Sequence, residues 1–345
     1  MSRRFRTTPA LLAVAFLATT CGAPAAHAQD FYSGKTVNII VGSDVGGGYD
    51  TYARLFSRHL GDHLPGKPSA VVQNMPGAGS ARAAGYVYAS APKDGLTIAL
   101  LQPGAIVGPL VDKSMKATYD ATKFNYLASA DSGTRVCISL PNSHIKTFKQ
   151  AQTERVIVGA AGNGASSRDY GYLHKNTSGA KFEIVSGYKG MADILLAMER
   201  KEIDVVCGLD WSSAKAQRPA LVRDHSLNVL VQMGVDRSAE LDAWGAPDIM
   251  SFTAGEDNRA IVELIVAQQA FGRPFVMAPG NPDGAVKLMR AAFASAMKSE
   301  VLLADAERIG LDITPATGDR VQEVVRRMYQ TPDRIVELAA KAIRE

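Results

Sequence analysis

The chain has 345 residues, of which 46% are hydrophobic and 7% aromatic, with 38 basic and 34 acidic side chains. Setting aside residues 1–28 removes Arg3, Arg4 and Arg6 and leaves 35 basic against 34 acidic residues, so no basic stripe with interleaved aromatics argues for nucleic acid. No apolar run approaches the ~20 residues that a membrane-spanning helix needs.

In chain order, residues 1–28 read as an export signal. Three arginines precede a short apolar stretch at 11–17, and Ala26-His27-Ala28 fits the small-x-small cleavage pattern. The length that remains suits two domains. Short β-branched runs at 37–41, 70–73, 97–101, 136–140, 156–158, 182–185, 204–207 and 228–232 have the pattern of strands buried on both faces. Helical periodicity falls between them, at 50–64 and in the stripe Met191, Ile194, Leu195 and Met198. The tail from about Asp283 is helical. Asp319 with Gln322 resembles a capping box, and Thr331-Pro332 reads as a cap followed by proline at the first helical position. The alternation predicts an α/β architecture of two lobes, each a mainly parallel sheet flanked by helices. The expected division is 29–128 plus 253–345 for the first lobe and 129–252 for an inserted second lobe.

Three glycine turns follow strands. Gly46-Gly47-Gly48-Tyr49-Asp50 follows the first, Gly77-Ala78-Gly79 the second, and Gly162-Asn163-Gly164 precedes Ala165-Ser166-Ser167. None has the lysine of a P-loop or the spacing of a dinucleotide fingerprint, and no cofactor is expected. Each is read as a tight βα connection or as backbone N–H groups presented to an anion at a helix start. At the carboxyl ends of strands, such turns sit where open α/β sheets bind ligands. Gly47, Gly48, Tyr49, Gly77, Ala78, Gln102, Asn163, Gly164, Ala165 and Ser166 are therefore candidate ligand contacts. Tyr188 is a candidate gate or hydrogen-bond donor, or a rim aromatic. Asp210 is a candidate partner for a substrate amino group, or a helix cap. Asp50 and Arg54 form a structural i, i+4 pair.

Cys137 and Cys207 sit in strand-like runs, as two buried small hydrophobes or as a disulfide, for which adjacent parallel strands offer poor geometry. The histidines are scattered and there is no G-x-S-x-G elbow, so catalysis is not expected. No metal spacing occurs.

The order of motifs resembles the substrate-binding proteins of tripartite tricarboxylate transporters, of the TctC or Bug (Bordetella uptake) type. The matching stretches are residues 35–41, 46–54, 72–79 and 91–97, then 162–164, 187–190 and 203–206. The segment 269–274 departs from the aromatic-rich crossover usual in that family. The resemblance implies a periplasmic Venus flytrap, monomeric, that takes a small organic acid between its lobes and delivers it to membrane permease subunits. The carboxylate would be held through Gly47, Gly48, Gly77, Ala78, Gly164 and Ala165, with Ser166 and Tyr188 nearby. Two alternatives remain open: a ligand-loaded sensor subunit for a membrane kinase, and a secreted α/β enzyme built around an Asp210–His pair.

Overall fold

The apolar runs read from the sequence form two sheet-bearing halves. The computed structural model describes residues 31–162 and 164–344, so the expected export signal and Asn163 lie outside the described residues. The strands are β1 (Thr36–Val41), β2 (Ser69–Asn74), β3 (Thr97–Leu100), β4 (Asn125–Ser129), β5 (Arg135–Ser139), β6 (Val156–Ala160), β7 (Phe182–Ser186), β8 (Val206–Asp210), β9 (Asn228–Met233), β10 (Pro274–Met277) and β11 (Ala316–Thr317).

The larger sheet has the order β11-β4-β10-β3-β1-β2. β1 runs parallel to β2 and β3, whereas β10 and β11 run antiparallel to their neighbours. Ile39, Ile40 and all of β3 are buried because helices cover both faces. The helix Gly48–His59 buries Tyr52, Leu55 and Phe56, the side expected from spacing. Phe56 meets Phe275 of β10 at 5.0 Å and Phe293 of the helix Asp283–Ala296 at 5.3 Å. Asp50 and Arg54 pair at 2.9 Å as expected.

The smaller half contains an antiparallel sheet, β8-β5-β9, and the parallel pair β6-β7, joined by a bridge from Val158 to Val205. β8 starts two residues later than expected and ends on Asp210. The antiparallel pairing of β5 with β8 brings Cys137 and Cys207 together as a disulfide. β4 and β10, neither singled out from sequence, lie side by side and carry the chain into and out of this half.

Two helix starts differ from expectation. Thr317, held extended by β11, caps Gly318–Met328 by accepting from the Arg320 N–H at 3.2 Å. Asp319 instead pairs with Arg290, and the Gln322 amide donates to the Thr122 carbonyl. Pro332, not Thr331, is the residue before the helix Asp333–Ala342.

At Gly208, β8 packs closely against the start of the helix Ser166–Thr177. Its φ is +67°, and a Cβ there would run into the Ser166 carbonyl oxygen. Gly208→Ala therefore combines backbone strain with overpacking and is expected to cost about 2–4 kcal/mol. Urea denaturation checks this; a loss below about 1 kcal/mol would contradict it.

Candidate functional site

A cleft of about 670 Å³ lies between the two halves. Four helices of nine or more residues begin on its wall: Gly48–His59, Pro103–Val111, Ser166–Thr177 and Met191–Glu199. Their N-caps are Gly47, Gln102, Ala165 and Gly190, and none of these caps supplies a side-chain hydrogen bond. The first-turn N–H groups of a helix have no intrahelical acceptor and carry the positive end of its dipole. Capping residues such as Thr, Ser or Asp would have satisfied them internally; here Pro103 brings no N–H and those of Ala105 and Arg168 turn back to the Gln102 and Ala165 carbonyls, while the other first-turn donors have no side-chain cap.

The walls are fixed by two buried serines. Buried Ser80 donates from Oγ to the Gly42 carbonyl at 2.8 Å and accepts from the Gln102 N–H at 3.0 Å, which ties the start of Pro103–Val111 to the end of β1. Ser167 Oγ accepts from the Ala161 N–H at 3.0 Å and anchors Ser166–Thr177 in the same manner. A Cβ added to Gly48 would lie 3.6 Å from the Arg273 guanidinium and 3.9 Å from Ser213 of the opposite half. Gly47, by contrast, has an ordinary φ of −78°, and a Cβ added there would meet only the Asp44 carbonyl oxygen, at 3.6 Å.

Two arginines enter the cleft. Arg135 donates to the Gly208 carbonyl at 2.9 Å, to Ser166 Oγ at 3.3 Å and to Gln269 Oε1 at 3.3 Å. Arg273 is 2% exposed and lies over the ring of Tyr49 at 4.4 Å and that of Tyr52 at 5.0 Å. Between them sits Asp210, 3.6 Å from Arg273 and 3.9 Å from Arg135. Burial alone would raise the Asp210 carboxyl, but Arg273, Arg135 and Ser212 hold it below the usual range. Asp131, on the crossover after β4, is pushed up to about 7 by burial and by Asp210. With one carboxylate for two guanidiniums, the cleft keeps a net positive charge.

Gly47, Gly48, Tyr49, Gln102, Gly164, Ala165, Ser166 and Asp210 all line this cleft. Tyr49 contributes its ring; its hydroxyl donates to the Gly272 carbonyl at 3.0 Å. Asp210 is engaged by the chain's own cations and by Ser212, which donates to it at 2.7 Å. No histidine lines the cleft among the described residues. Gly77 and Ala78 do not reach it, because β2 is the edge strand and its turn opens onto an adjoining cavity that Ala78 lines. Tyr188 is also elsewhere: its N–H returns to the Ala160 carbonyl at 3.3 Å, and its ring packs on the core near Gly159. The residues just after it, Lys189 to Ala192, take the place on the wall. Arg135, Arg273, Asp169 and Lys189 were not singled out by sequence. The one local signal was an arginine opening a strand, in Arg135-Val136-Cys137-Ile138.

Asp169, half-buried on the wall, accepts no hydrogen bond among the described residues. Burial pushes its carboxyl up to about 7, against the pull of Arg168 and Arg344. The folded chain therefore keeps protons on Asp169 and Asp131 that the unfolded chain has released, and both carboxyls cost stability progressively as pH rises from about 4 to 7. Above pH 7 an ionised Asp169 also repels an anion in the cleft. Anion affinity is expected to fall about tenfold from pH 6 to pH 8, and Asp169→Asn should flatten that profile. Calorimetric titration across the range checks it; an unaltered slope in the variant would contradict it.

The model of the tripartite tricarboxylate transporter family receptor matches residues 53–337. No curated protein matches the sequence. Among solved structures, a ligand-free TctC solute-binding protein from Polaromonas superposes with a TM-score of 0.67 at 19% identity, over 89% of this chain and 99% of that one. MatC from Rhodopseudomonas palustris with bound malate gives 0.63 at 19%, over 88% and 99%. An R. palustris protein with adipate gives 0.65 at 19%, over 89% and 97%.

Proposed function

Since the chain belongs to the tripartite tricarboxylate transporter receptor family, we propose that it captures a small carboxylate in the cleft between its two halves and delivers it to the membrane subunits of such a transporter. Malate and adipate in two structural neighbours support the carboxylate class. The observation that carries the reading is the convergence of four helix starts, each without a side-chain cap, and Arg135 on one cleft. Each N–H or guanidinium bond to a carboxylate is worth about 1.5–3 kcal/mol.

The halves act as lobes, 29–128 with 253–345 and 129–252, hinged where β4 and β10 cross. The ligand completes contacts between Gly48 and Gln102 on one lobe and Gly164 to Ser166 on the other, and so stabilises the closed state. Gln102 and Ser166 add neutral polar groups, and no covalent step is involved. The place of action is the periplasm, reached with the aid of residues 1–28.

Thermal-shift screening of residues 29–345 against mono-, di- and tricarboxylates tests the proposal. A hundredfold excess over Kd should add about 2.7 kcal/mol of stability. Gly48→Val, which projects a side chain toward Arg273 and Ser213, should remove the shift while the protein still melts cooperatively. No shift for any acid with ligand-stripped wild type would refute it.

A further inference from the structure

The disulfide of the smaller half has a neighbour that the cleft does not use. His174, in the last turn of the helix Ser166–Thr177, is fully buried, and neither of its ring nitrogens has a hydrogen-bond partner among the described residues. Phe148, Phe182 and Tyr170 enclose its ring at 5.4, 6.3 and 6.5 Å. A core that needed only volume there would take leucine or phenylalanine, because two unpaired polar atoms in an apolar pocket cost free energy. Sulfur is what lies within reach of the imidazole. A ring nitrogen of His174 and the Sγ atoms of Cys137 and Cys207 all lie within 4.8 Å of one another. Cys137 belongs to β5 and Cys207 to β8, and both are fully buried. Three elements thus bring three soft donors to one point, and no spacing in the sequence announces it.

While the sulfurs are bonded to each other, they are poor ligands. In the newly made chain both are thiols. Tetrahedral zinc, with bonds of about 2.3 Å to sulfur and about 2.0 Å to nitrogen, needs sulfurs about 3.8 Å apart and a nitrogen about 3.5 Å from each. Unbonded sulfurs reach the first spacing by rotation about Cα–Cβ. From within 4.8 Å, the imidazole reaches the second by a shift of about 1 Å. Charge decides which cation fits. Two thiolates, a neutral imidazole and a divalent ion sum to zero, whereas Cu⁺ would leave a negative charge in an apolar core. Magnesium and calcium need oxygen ligands, and the cluster contains no carboxylate. Thiolate and imidazole together suit zinc.

We infer that the chain, when Cys137 and Cys207 are thiols, binds one zinc ion through both sulfurs and His174. Zinc entry displaces the two thiol protons. It ties together β5, β8 and the helix Ser166–Thr177, the elements that carry Arg135, Asp210 and Ser166 to the cleft. The disulfide links β5 to β8 alone. Metal and disulfide are therefore alternative staples of the same half, and oxidation closes the metal site.

Zinc titration of the reduced 29–345 protein tests the inference. A phosphine in urea reduces the disulfide, taking an oxygen atom from water and leaving two thiols, and the chain is refolded without air. Oxidised wild type, which keeps the other histidines, sets the background. Above that background the reduced protein should bind one zinc with a Kd below about 1 μM, and zinc should raise its urea midpoint. Cobalt(II) in place of zinc should show thiolate-to-metal charge transfer and tetrahedral d–d absorption. His174→Leu should bind zinc about a hundredfold more weakly or worse when reduced, and so should Cys207→Ser. His174→Phe gives the same reading should leucine fail to fill the pocket. Reduced wild type that takes up no more zinc than the oxidised protein would overturn the inference. So would a His174 variant that binds zinc as tightly as wild type, since the two cysteines alone would then account for the metal.

Discussion

Arg273→Met is expected to lower stability by about 3–5 kcal/mol, the usual cost of removing one partner from a buried charge pair. Arg273 and Asp210 are each about 3% exposed as side chains, and Asp210 Oδ2 accepts no hydrogen bond. Without Arg273, that carboxylate keeps the Ser212 hydroxyl and one cation, Arg135, 3.9 Å away, and must either stay ionised in a buried site or take up a proton. The guanidinium also fills the space between the Tyr49 and Tyr52 rings, which methionine covers only in part. Tyr49 meanwhile bonds the backbone beside Arg273 at Gly272, 223 residues away in sequence. The loss therefore falls on the crossover joining the halves, and ligand affinity should drop together with stability. Urea denaturation of the single variants Arg273→Met and Asp210→Asn and of their double variant isolates the pair, since contacting partners are non-additive. The double variant should be less destabilised than the sum of the singles; strict additivity would contradict a coupled pair.

The second large effect concerns Cys137 and Cys207. Their disulfide spans a sequence separation of 70, and closing a loop of that size removes enough unfolded-chain entropy to stabilise by about 4 kcal/mol. It clamps β5, which opens on Arg135, to β8, which ends on Asp210. Cys137→Ala/Cys207→Ala should lower stability by about that amount, and wild type in a strong reductant should match it. Thermal and urea unfolding with and without reductant check this. A double variant as stable as oxidised wild type would contradict it.

The sequence carried the elements whose signals are local. β1 and the Gly46–Gly48 turn were legible from a β-branched run followed by glycines, and the Asp50–Arg54 pair from its helical spacing. β4 and β10 were not, because each is short and owes its burial to partners far along the chain. The cysteines stayed ambiguous for a related reason: bonding depends on whether β5 and β8 run antiparallel, which no residue in either strand reveals. On the cleft wall, the helix starts at Gly47–Gly48 and Gly164–Ala165 were readable because a glycine turn before a helix announces itself. Arg273 was not. A lone arginine before a proline looks like a surface residue until Tyr49, Tyr52 and Asp210 are folded around it. Tyr188 misled because the turn that holds it folds back over β6, which aims the ring at the core and leaves the wall to Lys189–Ala192.

If converging helix starts hold a carboxylate between the halves, the charge of the acid must carry much of its affinity. The most direct measurement is calorimetric titration of ligand-stripped 29–345 with a binding acid and with its neutral amide. One-to-one binding of the acid is expected, with at least about a hundredfold weaker binding of the amide, since two lost charge-assisted contacts amount to about 3 kcal/mol or more. An amide that binds as tightly as the acid would contradict it.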